Sequence, residues 1–305
     1  MDYINKNGFS YPLIGFGTFD LPNNKFTEII GTAYKLGYRL FDTAYNYGNE
    51  SLIASAIRDN SIPRKDILLQ TKINIEQFYH NGFRYGRKRI LNIPNFHSVR
   101  RELEGTLERL NTDYIDVMLI HWPYPGFAKI YKKLIELKNE GLIRLVGVSS
   151  FLPPHIEYLD SLDLETPVIN QFEISPLNFN KRLIEYYKKR GIIIQAMSTF
   201  SHFKMSAPRS EILDNDIIIR IANKYRKTVP QIVYRWLIQQ NITIIPKSKN
   251  PLHIEENISI FDFTLDDEDI QAITALDRGK FLNYDPTKAF YSVPKNYRNS
   301  EWFKH

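Results

Sequence analysis

Apolar and polar positions follow two alternating rhythms along this chain. Short β-branched runs recur at RLFDT (39–43), ILLQTK (67–72), YIDVMLIH (114–121), IRLVGVS (143–149), PVINQ (167–171), IIIQAM (192–197) and ITIIPK (242–247), and an earlier run, PLIGFGT (12–18), makes eight. Between them lie amphipathic stretches with helical spacing over 25–37, 49–59, 98–110, 127–140, 180–190, 228–240 and 266–277. Strands separated by helices at this interval predict a parallel sheet. Eight such units without a break between halves predict an α/β fold, a (β/α)8 TIM barrel, rather than an open doubly wound sheet. The opening YINKNGFSY predicts a hairpin with an Asn-Gly turn across the barrel bottom. The whole chain, 1–305, is expected to be one barrel domain.

Two segments depart from the rhythm. Residues 74–97 form a long polar-aromatic connection after the third strand, and residues 279–305 form an aromatic-rich C-terminal loop. Loops of this length in a compact domain are usually functional or disordered. The first, placed over the barrel mouth, reads as a lid-like insertion or as a surface loop with incidental charge.

Composition narrows the function. Apolar content of 43% and charged content of 24% are those of an ordinary globular protein. With no cysteine, disulfide frameworks and thiolate metal sites are excluded. That absence fits a reducing compartment, and a cytoplasmic location is expected. No apolar run approaches the roughly 20 residues of a membrane span, and the N-terminus lacks a signal-peptide pattern. The net charge is +6, half of it from Arg84, Arg87, Lys88 and Arg89 against Glu76. Nothing resembles a nucleic-acid reading module. The expected partner is therefore a small molecule, with no nucleic acid, membrane or metal, and the protein is expected to act as a monomer.

Candidate chemistry gathers at the strand ends, where barrel active sites lie. Successive runs close on Asp42, Lys72, His121, Gln171 and Lys247–Ser248. Asp42 alone could be a helix cap. Lys72, placed in a crowded barrel mouth, needs a partner, and Asp42 on the adjacent strand supplies one. Tyr45 and Tyr47 follow in DTAYNYGNE. A phenol titrates near 10, and a nearby ammonium lowers that value, so the expectation is that Lys72 eases proton release from a tyrosine. A neutral histidine can hydrogen-bond a substrate oxygen. The set suits protonation of an oxygen that gains negative charge, as in carbonyl reduction, and the missing hydride source implies a nicotinamide cofactor. GFGTFD has Asp20 at the third glycine's place and fails the usual dinucleotide fingerprint. The stretch IPKSKNPLHIEEN reads either as a phosphate site at a helix N-terminus or as a βα turn with surface charge.

Taken in order, GFGTF, DTAYNYGNE, LLQTK, DYIDVMLIHWP, GLIRLVGVSSF, INQFEISP and IPKS…IEEN resemble the aldo-keto reductases over roughly residues 8–280. The resemblance implies a (β/α)8 carbonyl reductase using NADPH, with NADH as the alternative. It implies a tetrad of Asp42, Tyr47, Lys72 and His121, with Tyr47 as the acid and Tyr45 as pocket wall. It further implies that Thr18, Ser149, Ser150, Gln171, Met197, Ser198, Lys247, Ser248, His253, Glu256 and Asn257 bind cofactor. Phe19, Tyr45, Asn74, Trp122 and Trp302 would meet substrate. The departures lie mostly in the cofactor cleft. Ser150 stands where the family usually has Asn, Met197 where a stacking ring is usual, and His253 where Arg is customary; Ser175 replaces a common His, and Asn74 a frequent pocket Trp. These departures keep open a second function class, a catalytically weak reductase-like barrel that acts as an NADP(H)-binding regulatory or sensor subunit.

Overall fold

The computed structural model describes residues 2–6, 8–73, 98–200, 210–281 and 285–304. The insertion 74–97, and Asn74 with it, lies outside the described residues. Strands β1 (Tyr3–Lys6) and β2 (Phe9–Pro12) form the expected antiparallel hairpin, with Lys6 opposite Phe9. Eight parallel strands follow: β3 (Phe16–Gly17), β4 (Leu40–Asp42), β5 (Leu68–Ile73), β6 (Ile115–Ile120), β7 (Ile143–Ser149), β8 (Ile169–Glu173), β9 (Ile193–Met197) and β10 (Ile242–Ile244). Sequential neighbours pair throughout. Bonds from Gly15 N–H to the Ile244 carbonyl (2.8 Å) and from Ile244 N–H to the Leu13 carbonyl (2.9 Å) join the last strand to the first and close the barrel.

The connecting helices are α1 (Phe26–Lys35), α2 (Glu50–Asp59), α3 (Ser98–Leu110), α4 (Phe127–Asn139), α5 (Pro153–Asp160), α6 (Lys181–Lys189), α7 (Ser210–Leu213), α8 (Asp216–Tyr225), α9 (Val229–Gln239), α10 (Pro251–Ile258) and α11 (Asp267–Thr274). Four of them, α5, α7, α8 and α10, lie outside the amphipathic stretches read from sequence. The Pro153–Pro154 start of α5 resembles a breaker, yet proline at the first helical positions costs no hydrogen bond, because those N–H groups have no intrahelical partner.

Alternation along the strands builds two cores. Val117 and Leu119 belong to an inner cluster with Tyr11, Leu40, Leu145, Ile169 and Ile193, whereas Met118 and Ile120 join the outer core under the helices. A side-chain period of two thus sends Leu40 and Asp42, Gln70 and Lys72, and Ile169 and Gln171 into the barrel. The lining is apolar at the bottom and becomes polar towards the C-terminal edge. Gly147 belongs to this packing, since a Cβ there would come within 2.4 Å of Ile169 Cγ2 and 2.7 Å of Leu119 Cδ2.

The C-terminal segment is ordered over 285–304 and packs on α5 and α6. Tyr297 packs on Tyr158, and Phe303 meets the edge of His155. His155 is fully buried, and its Nδ1 accepts the Leu152 N–H at 2.9 Å. Ser292 donates its hydroxyl hydrogen to the Ala289 carbonyl, so its oxygen accepts from His155 Nε2–H at 2.9 Å. These bonds require the neutral Nε2–H tautomer, and burial pulls His155 down to about 3. The unfolded chain protonates this residue near 6.5 and the folded chain does not, so its contribution to stability is complete above about pH 6.5 and is lost as pH falls towards about 3. In thermal melts between pH 7 and pH 4, His155→Gln should show a shallower loss of Tm with acidification than wild type; parallel slopes would contradict this assignment.

Candidate active site

Asp42 ends β4, and Lys72 lies one residue before the end of β5. Both are buried, and Lys72 Nζ donates to Asp42 Oδ2 at 2.7 Å and Oδ1 at 2.8 Å. It donates also to the Thr43 carbonyl at 2.8 Å and to the Tyr47 hydroxyl at 3.4 Å. Tyr47 stands in the short 3₁₀ turn Tyr45–Tyr47 that follows β4, and Gly48 in left-handed conformation (φ 66°) ends that turn. The loop is tied down by Asn49, which donates to the Thr18 carbonyl (2.9 Å) and accepts from Thr43 (2.6 Å). Thr18 is itself engaged, its N–H and hydroxyl both bonding the Asp42 carbonyl at 3.0 and 2.9 Å.

His121 completes the group just beyond β6. Its ring is edge-on to Tyr47, with centroids 6.0 Å apart, and stacked on Trp122 at 5.3 Å. Phe19 meets Tyr47 edge-on at 4.9 Å from the other side. Tyr45 turns outward under the Arg109 guanidinium, whose carbon lies 5.0 Å from the ring centroid. Arg109 is held by the buried carboxylate of Glu50, which also accepts from Thr71. Four predicted residues, Asp42, Lys72, Tyr47 and His121, therefore share one mouth, walled by Phe19 and Trp122. Trp302 lies on Tyr186 with Arg182 above it, and with Ser150, Glu173 and Asn180 lines a cavity of about 230 Å³.

Electrostatics modify one expectation. Burial pushes the Tyr47 phenol up; the Lys72 ammonium pulls it down, Asp42 pushes it up again, and the net displacement is upward. Lys72 thus acts on this phenol in the expected direction, but burial, joined by Asp42, outweighs it, and Tyr47 stays a protonated donor. Burial alone would lower Lys72, but Asp42 and Tyr47 more than reverse that and hold it charged. His121 is pushed well below its ordinary value by burial and by Lys72, so it is neutral. Its Nδ1 has no hydrogen-bond partner among the described residues. The site thus presents a neutral phenol, a neutral imidazole and one compensated ammonium.

Ser149, Gln171 and Met197, three of the predicted cofactor residues, lie at the C-terminal ends of β7, β8 and β9. Ser149 is buried, and its hydroxyl has no partner among the described residues. Gln171 turns its Nε2 inward to Asp42 Oδ1 (3.0 Å) and Gln195 Oε1 (2.7 Å), and no described residue donates to its Oε1. Ser150 (φ 60°) and Ser198 (φ 55°) hold left-handed backbone beyond β7 and β9, a strain that clusters at functional sites. Most other non-glycine positive φ values follow helix ends, at Ser61, Asn111, Asp163, Arg226 and Asn241. Met197, half-buried, sits in register with Glu173. At the far end, Lys247 and His253 are exposed and have no ion pair among the described residues; they lie beside the N-terminus of α10, where Ser248 accepts from Asn250 N–H and Asn250 caps the helix. Asn257 is buried on that helix, and Glu256 is bonded by the Thr228 hydroxyl. A hydroxyl and an amide oxygen with no partner among the described residues suit a carboxamide, and the exposed Lys247 ammonium near a helix N-terminus suits phosphate. These residues fit a nicotinamide dinucleotide.

Sequence reasoning missed Tyr11, Gln70 and Gln195, which lie directly beneath the tetrad. The available signal was a glutamine at an inward position on three different strands, Gln70, Gln171 and Gln195.

Comparison with known proteins gives a match to the Aldo/keto reductase family over residues 13–278. Methylglyoxal reductase DkgA of Escherichia coli O157:H7 is 33% identical over 284 residues, 92% of this chain and 95% of that protein. Glyoxal reductase of Bacillus subtilis (strain 168) is 33% identical over 288 residues, 93% and 96% of the two chains. The crystal structure of a mutant of Gox0644 in complex with NADPH superposes with a TM-score of 0.80 at 32% identity, covering 95% of this chain and 97% of that one.

Proposed function

The chain belongs to the aldo/keto reductase family, and we propose that it reduces small aldehydes and ketones, 2-oxoaldehydes such as methylglyoxal among them, with Tyr47 as the proton donor. The activity itself, NADPH-dependent reduction of a carbonyl to an alcohol, is that of the family. The observation that carries the residue assignment is the buried Lys72 ammonium, bonded at once to the Asp42 carboxylate and the Tyr47 hydroxyl.

NADPH supplies the hydride when bound. Ser149 and the Oε1 of Gln171 would hold the carboxamide, and Lys247, Ser248 and His253 the phosphate end. On the protein side, the substrate oxygen lies against the Tyr47 hydroxyl and the neutral His121 ring. As charge develops on that oxygen, Tyr47 transfers its proton, and the adjacent Lys72 stabilises the phenolate left behind. Asp42 holds Lys72 in place and charged. Phe19 and Trp122 exclude water from the mouth. The tetrad is complete within one chain, so turnover requires no second copy.

The 2-oxoaldehyde assignment rests on the named activities of the relatives. Purified protein should oxidise NADPH with methylglyoxal or glyoxal at a kcat/KM at least ten times that with a bulky aromatic ketone. The reverse ranking would remove the substrate assignment. Tight NADPH binding without turnover on any carbonyl would replace the enzyme by a cofactor-binding subunit.

A further inference from the structure

Beneath the tetrad lies a buried polar ring that the reaction as described does not use. The Tyr11 hydroxyl donates to Gln70 Oε1 at 2.5 Å, and Gln70 Nε2 donates to Gln195 Oε1 at 2.7 Å. Gln195 Nε2 returns to the Tyr11 oxygen at 2.8 Å. Gln70 Nε2 also donates to Asp42 Oδ1 at 2.5 Å, and Gln171 Nε2 bridges Gln195 Oε1 and the same Asp42 oxygen. Tyr11 and the three glutamines are at most 1% exposed, and Asp42 is 2% exposed.

The sense of every bond is fixed. Asp42 is an acceptor, so the amides of Gln70 and Gln171 must point their nitrogens at it. Both nitrogens also face Gln195, whose oxygen must then point at them. Gln195 Nε2 is left to meet Tyr11, and Tyr11 is left to donate to Gln70. Reversing any one amide sets two donors or two acceptors face to face in a buried site. Burial keeps Tyr11 protonated and able to donate.

We propose that Tyr11, Gln70 and Gln195 are positioning residues for catalysis: they aim two amide donors at Asp42 and so set how strongly its carboxylate acts on Lys72 and Tyr47. The inference rests on the reductase reading above. Tyr11 lies on β2, so the hairpin that plugs the barrel floor is linked through one ring of bonds to the proton donor at the mouth. Without the Tyr11 hydroxyl, Gln70 Oε1 and Gln195 Nε2 lose their partner. The two amides then satisfy each other and draw Gln70 Nε2 away from Asp42. The carboxylate becomes less compensated, and the charged and titratable groups facing Tyr47 (Asp42, Lys72 and the neutral His121) hold its proton more tightly.

The test compares Tyr11→Phe, Gln195→Met and the double variant with wild type and Tyr47→Phe, all as full-length protein, with methylglyoxal and NADPH. Each single variant should lower kcat about tenfold, the scale of one lost charge-assisted hydrogen bond. The alkaline limb of the kcat profile should move to higher pH, while KM for the carbonyl and Kd for NADPH stay within about twofold. The double variant should lose no more than either single one, because a ring broken once is broken. Wild-type kcat and an unmoved alkaline limb in a folded single variant overturn the proposal, as do multiplicative losses in the double. If Tyr11→Phe fails to fold, Gln195→Met alone carries the same expectation. Wild type and Tyr47→Phe turning over equally would instead overturn the assignment of Tyr47, and that outcome is read separately from the behaviour of the ring.

Discussion

Tyr47→Phe should lower kcat for carbonyl reduction by about 10²- to 10⁴-fold, the contribution of a well-placed general acid. The substitution removes one oxygen and keeps the ring that packs edge-on against Phe19 and His121. The mouth therefore keeps its shape, and cofactor affinity should be unchanged, because none of the residues fitted to the dinucleotide touches the phenol oxygen. Lys72 Nζ retains its three short bonds to Asp42 and the Thr43 carbonyl, so the fold should tolerate the change. Steady-state rates beside a fluorescence titration of NADPH check both halves. A variant with undiminished kcat would remove Tyr47 from the role of acid.

Lys72→Met should be as damaging to rate and more damaging to stability. Methionine fills a comparable volume but leaves Asp42 buried with amide donors and no cation. Removing one partner of a buried pair typically costs about 3–5 kcal/mol. For Tyr47 the loss takes away the one influence that lowers its value, while burial and Asp42, which raise it, remain. Residual activity should therefore fall by about 10²-fold or more, with its alkaline limb displaced to higher pH, since the phenol holds its proton more tightly. Urea unfolding and a kcat–pH profile on the same preparation separate the two effects. A stable variant with a wild-type profile would mean that the ammonium does not act on the phenol.

The barrel was legible because its strands carry two independent signals, β-branched runs and a polar residue at the C-terminal end. IRLVGVS is a strand over the residues read from sequence, Ile143–Ser149, and PVINQ runs two residues further, to Glu173. The last strand is shorter than its apolar run, ending at Ile244, although the Pro246 carbonyl still bonds Gly17. Helix α5 was hidden by its two prolines. In α8, the run Ile217–Ile218–Ile219 imitates a strand until Asn215 is seen to cap a helix.

At the site, Asp42 and Lys72 were legible because a lysine at a strand end inside a barrel must be paired. The phenol's direction was not, because it depends on how burial, Asp42 and Lys72 balance at one oxygen. The ring of Tyr11, Gln70 and Gln195 was not legible either. It joins residues 59, 125 and 184 positions apart, and only the closed barrel shows that their polar ends meet.

The central claim is direct reduction of a carbonyl at this mouth. The measurement that tests it most directly is the deuterium content of the alcohol formed from methylglyoxal with NADPH labelled at both C4 positions. The account predicts one deuterium on the new carbinol carbon, at a rate that Tyr47→Phe nearly abolishes. Alcohol formed without the label, or labelled equally fast by Tyr47→Phe, would contradict it.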